Sequence, residues 1–181
     1  FLVSAITMRS FSEEKRAGTI ETLTTSPVSD LNIILGKFFA GVTLVLFALL
    51  PTIVYYLSVR YLAYPVGNID SGAILGSYLG LLMVGASFVA IGLFASSISD
   101  NQISAFIIST FLCFFFYTAF DYLGQMKILG SLDYVISWLG MFFHYQSISR
   151  GVLDTRDALY FLSLMAFFIL LTKTVFGSRK W

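Results

Sequence analysis

RSFSEEKRAGTIETLTTSPVSDLNIILGK, residues 9–37, is the one long polar stretch of this chain, and uncharged apolar runs stand on both sides of it. Four of the eleven Lys/Arg (Arg9, Lys15, Arg16, Lys37) and four of the ten acids (Glu13, Glu14, Glu21, Asp30) fall inside it. A loop that merely joins two apolar segments needs no such concentration of charge. Before Pro27 its large apolar side chains are few, and these three, Phe11, Ile20 and Leu23, fall roughly on helical spacing. The stretch therefore reads as a handle gripped by another protein; the competing reading is an interfacial helix resting on lipid headgroups.

Composition decides what kind of body carries this handle. Of 181 residues, 57% are hydrophobic and 12% charged, against about 25% charged in soluble domains. Mean hydropathy is +0.85. This is the profile of an all-α membrane protein, a polytopic helical bundle. A net charge of +1 argues against a nucleic-acid partner, which needs a basic face. The lone Cys113 excludes a disulfide framework and a cysteine-based metal site.

Charge-free runs mark the spans, because about 20 apolar residues cover about 30 Å of hydrocarbon. The expected transmembrane helices are residues 33–59, 72–97, 102–122 and 158–177. Residues 1–8 read as the end of a truncated span, 9–32 as a cytoplasmic coupling loop, 123–157 as an extracytoplasmic re-entrant or interfacial region, and 178–181 as a cytoplasmic tail. Pro51 lies inside the first full span and predicts a kink there. Gly72, Gly76 and Gly80 recur every four residues, a pattern that lets helix backbones approach closely. The run FLCFFFY, residues 111–117, reads as lipid-facing or packing surface.

Local signals place the helix ends. Ser10-Phe-Ser-Glu13 fits a capping box opening a short helix that Gly18 stops. Ser29 or Asp30 is suited to cap the next helix, and Ser99 or Asp100 the third span. With residues 9–37 cytoplasmic, the inner segments hold seven basic residues (Arg9, Lys15, Arg16, Lys37, Lys173, Arg179, Lys180). The outer segments hold four, so the basic-inside bias agrees with that orientation.

No Walker-type loop, zinc-protease helix, nucleophile elbow or dinucleotide glycine fingerprint occurs, so neither catalytic nor cofactor residues are expected on this chain. His144 has no second His or Cys nearby and reads as an interfacial polar residue. Between their ends the expected spans carry no charged group; Lys37, Asp121 and Lys173 stand near the ends. Ion-coupled carriers place such groups at depth, so energy for uphill movement must enter from outside the chain. That argument returns to residues 9–37.

Those residues, with their EEKR turn, GTIETL, SPVS and ILGK, resemble the permease subunits of type-2 ABC exporters. VAIGLFASSISDNQISAF (89–106) and FLCFFFY, with the aromatic region that follows, look most like the gliding-motility-associated branch of Bacteroidetes. The resemblance implies a permease of the bacterial inner membrane, surrounded by lipid and paired with a second permease and with ABC ATPase subunits that bind the ATP. It implies that Glu13, Glu14, Lys15, Arg16, Thr19, Ile20, Glu21 and Leu23 meet the ATPase, with Ile20 and Leu23 as the buried anchor. Thr24 stands where leucine is expected and weakens the end of that coupling helix. The work performed would be substrate export or gliding-related. The rival reading is a non-transporting membrane anchor or scaffold of a motility or secretion complex.

Overall fold

The computed structural model describes residues 1–19, 28–64, 69–126, 133–152 and 154–178, which are helical with no strand. Two short helices, α1 (Leu2–Thr7) and α2 (Ser12–Arg16), precede α3 (Asp30–Leu49). A single 3-10 turn, Leu50–Thr52, separates α3 from α4 (Ile53–Leu62). Then come α5 (Ser71–Ile98) and α6 (Gln102–Phe114), the latter running through a π-helical stretch, Phe115–Ala119, into α7 (Phe120–Gln125). Two short helices, α8 (Asp133–Trp138) and α9 (Met141–Ser149), lead to α10 (Thr155–Gly177).

Helix α5 is the axis of the molecule. At 28 residues it is about 42 Å long, given a rise of about 1.5 Å per residue. It is apolar all round, the pattern of a helix surrounded by others, and α1, α2, α3, α6, α9 and α10 all touch it. Small residues make this approach possible. A Cβ at Gly41 would lie 2.6 Å from Val89, and one at Gly85 would lie 2.7 Å from Val45, so α3 and α5 each receive a valine at a glycine of the other. Gly92 takes the side chain of Thr7 in the same way.

Four segments are long and apolar enough to cross a membrane: Asp30–Leu62, Ser71–Ile98, Gln102–Gln125 and Thr155–Gly177. The outer faces of the first, third and fourth stay apolar and exposed, with Phe39, Phe47, Ile107, Phe111, Leu162 and Phe167 among the uncovered side chains. Such a surface is stable in lipid rather than water. The kink expected at Pro51 takes the form of the 3-10 turn, where Thr52 Oγ1 donates to the Leu49 carbonyl (2.6 Å) and to Tyr78 Oη of α5 (3.0 Å).

Three local expectations are corrected. No capping box forms at α2: its N-cap is Phe11, without a side-chain cap. Ser10 N instead donates to the Thr7 carbonyl at 3.0 Å, and the amides of Phe11 and Ser12 go to a distant hydroxyl, described below. The third span is capped by Asn101, whose Oδ1 accepts from Ile103 N at 2.9 Å, rather than by Ser99 or Asp100. Helix α10 begins one turn before residue 158, because Asp154 caps it by accepting from Arg156 N at 3.0 Å. Asp157 is thereby inside the helix and buried.

Candidate functional site

Helix α2 is fastened to the bundle at one end of α5. Ser96, near the C-terminus of α5, accepts hydrogen bonds from Phe11 N (3.0 Å) and Ser12 N (3.1 Å) and donates to the Met8 carbonyl (3.0 Å). One hydroxyl thus satisfies two amides at the start of α2 and the carbonyl of Met8, the residue that ends α1. Ser12 Oγ donates to the same Met8 carbonyl.

Phe11 is fully buried and meets Phe176 of α10 edge-on, ring centroids 4.6 Å apart. Lys37, in the second turn of α3, reaches back to this segment. Its ammonium donates to the Ser10 carbonyl (2.7 Å) and to Glu14 Oε1 (2.5 Å), and lies 4.9 Å from the centre of the Phe11 ring. The carboxylate, the carbonyl and the ring face are all electron-rich, so one cation answers three of them. Lys15 pairs with Asp100 in the α5–α6 turn at 3.4 Å. The α2 segment is therefore tied to α3, α5 and α10 and to the turn before α6.

This geometry sorts the residues expected to meet a partner. Glu13, Arg16 and Thr19 are exposed. Glu14 and Lys15 turn inward, the first onto Lys37 and the second, with its side chain only 10% exposed, onto Asp100. Gly18 takes φ +68°, which ends α2 at little cost for a residue without Cβ. Ile20, Glu21 and Leu23 lie outside the described residues. Sequence reasoning did not single out Ser96, Lys37, Asp100 or Phe176 for this site; Phe11, an apolar residue within a polar run, was the available signal.

Gly72, Gly76 and Gly80 lie at the opposite end of α5, against the end of α9. A Cβ at Gly76 would collide with the Ile148 carbonyl, and one at Gly80 would stand 3.0 Å from the Tyr145 ring. Gly151, at φ +82°, brings its Cα against Gly72 and Gly76.

His144 lies in this layer and is fully buried. Its Nδ1 is 2.7 Å from Asp157 Oδ1, its Nε2 is 2.8 Å from the Trp138 carbonyl, and its ring stacks on Tyr160 at 3.9 Å. Asp157 supplies the acid that the separation of 13 residues concealed. Among the described residues, no three His, Cys, Asp or Glu side chains gather as a metal site.

Four apolar helices, three of them lipid-exposed around a buried fourth, define a multi-pass membrane protein with a polar segment clamped at one end. The family model described as ABC-2 family transporter protein matches residues 1–176. The chain belongs to that family and is a permease subunit of an ABC transporter, a transmembrane partner of an ABC ATPase rather than the ATPase itself. No curated protein matches it.

Proposed function

We propose that this permease takes force from ATP hydrolysis on a partner ABC ATPase through residues 13–25 and passes it to the bundle through the α2 clamp. The observation that carries the reading is the double face of α2. Glu13, Arg16 and Thr19 are turned outward, while Phe11, Glu14 and Lys15 are bound to the spans. A displacement applied to the outward face has rigid routes into three transmembrane helices. Packed aromatic rings and paired charges transmit such a displacement because they resist compression. Ile20 and Leu23 supply the apolar anchor, and Glu13 and Arg16 the rim. The end of α5 bearing Ser96 then faces the cytoplasm, in the bacterial inner membrane, and the α8–α9 layer lies on the outer side. A second permease completes the pathway, and the output is substrate export or gliding-related work.

The test separates grip from transmission. In vesicles holding the permease with its cognate ATPase, Leu23→Asp is expected to abolish co-purification of the two subunits. Phe11→Ala is expected to leave co-purification intact while cutting permease-stimulated ATP hydrolysis about tenfold, a change of about 1.4 kcal/mol in coupling. Stimulation equal to wild type in both variants contradicts the proposal. ATP hydrolysis indifferent to the presence of the permease supports the scaffold reading instead.

A further inference from the structure

We propose that His144 and Asp157 form a proton-binding site that latches α8 and α9 onto the start of α10, closed while its proton is bound and released when the proton leaves. The argument is one of donors and acceptors. The Trp138 carbonyl can only accept, so the His144 Nε2 facing it at 2.8 Å carries a hydrogen. Between Nδ1 and Asp157 Oδ1, 2.7 Å apart, a second proton is required, and it sits on Nδ1 because imidazole is a stronger base than a carboxylate. The pair therefore holds one proton more than a neutral imidazole and a free carboxylate would, and its net charge is zero.

Burial enforces that state. His144 is fully buried and Asp157 is 6% exposed. Asp157 Oδ2 has no hydrogen-bond partner among the described residues. Loss of the proton would leave a buried carboxylate with one unpartnered oxygen, and would set lone pair against lone pair at one of the two ring contacts. The structure relieves both by opening.

The proton ties three elements together, because the carbonyl belongs to α8, the ring to α9 and the carboxylate to α10. Tyr160 reinforces the same junction by stacking on the ring and donating to the Leu139 carbonyl at 2.6 Å. The end of α9 in turn lies against Gly76 of α5, so the latch also sets how firmly this layer covers the central helix.

The charged and titratable neighbours are few. Arg150, Asp154 and Arg156 line the solvent-open cleft of about 420 Å³ that Asp157 borders. Tyr160 faces the ring from α10, Tyr145 on α9 faces α5, and Asp133 begins α8. Helix α5 itself carries no charged residue.

His144 is the sole histidine of the sequence, so histidine-selective ¹⁵N NMR of the full chain in lipid nanodiscs reads this ring alone. At mildly acidic pH both ring nitrogens are expected to be protonated. As pH rises toward the point where the ring loses its proton, amide exchange across residues 138–149, corrected for its intrinsic pH dependence, is expected to accelerate about tenfold per pH unit and to level off beyond it. In Asp157→Asn the introduced carboxamide donates to Nδ1. The ring is then expected to be neutral with its hydrogen on Nε2, and the pH step in exchange to vanish. A neutral ring in the wild type at mildly acidic pH overturns the proposal, as does a ring that titrates without any change in α9 exchange. Both outcomes are read on the wild type, so they stand even where the variant does not fold.

Discussion

Ser96 shows how one side chain far along the chain decides local structure. Its hydroxyl serves Met8, Phe11 and Ser12, residues more than eighty positions away. Ser96→Ala strands two buried amides, and the expected loss of unfolding free energy is about 1–3 kcal/mol. Ser58→Ala, which removes only an exposed bond to the Val54 carbonyl, is expected to stay within about 0.5 kcal/mol of wild type. Thermal unfolding of the two variants in one detergent checks the pair of values. Lys37 is the second decisive residue. Lys37→Met leaves Glu14 with a half-buried charge and no cation, an expected cost of about 1–3 kcal/mol, between exposed and fully buried pairs. Adding Glu14→Gln is expected to recover most of that loss, because the stranded charge goes with it. Failure of the double variant to recover would show that the lysine acts through the Ser10 carbonyl and the Phe11 ring instead.

At the scale of elements, what the membrane demands was legible and what tertiary contacts demand was not. The four spans were read from charge-free runs, because charge at depth in hydrocarbon is costly, and four helical segments are long and apolar enough to cross a membrane. Pro51 announced a break, since its ring and missing amide disrupt the helical ladder wherever they occur. The capping box at Ser10–Glu13 failed for the opposite reason. The pattern is local, but Ser10 N already donates to the Thr7 carbonyl, and Ser96 holds the neighbouring amides of Phe11 and Ser12, which leaves Phe11 as the N-cap. Asp157 was placed outside the last span because hydropathy cannot see that Asp154 starts α10 early. Glycines divide in the same way. Gly36→Ala has open space around its Cβ and is expected to stabilise α3 by up to about 1 kcal/mol through helix propensity. Gly76→Ala drives a methyl into the Ile148 backbone carbonyl and is expected to cost about 1–3 kcal/mol. Equal stability of the two variants would remove the close approach of α5 and α9 from the account.

At the scale of the molecule, α5 is the shaft with a fitting at each end. At one end Ser96, Lys37 and Phe176 fix the polar segment; at the other, Gly76 and Gly151 seat the layer that His144 and Asp157 tie to α10. Charge concentrated between spans marked residues 9–37 out in the sequence, and α2 is tied to the bundle there. Which of those residues face outward was not legible, since Glu14 and Lys15 look like their neighbours until Lys37 and Asp100 are found beside them. The central claim is that the outward face of α2 is the surface a cytoplasmic ATPase grips. It is tested most directly by single cysteines placed at Glu13 and at Tyr61 in a Cys113→Ser background, both exposed positions. Treatment of intact cells with a membrane-impermeant maleimide is expected to label position 61 and spare position 13. A photo-crosslinker attached at 13 in inverted vesicles is then expected to capture the ATPase subunit. Labelling of position 13 from outside the cell would contradict the account.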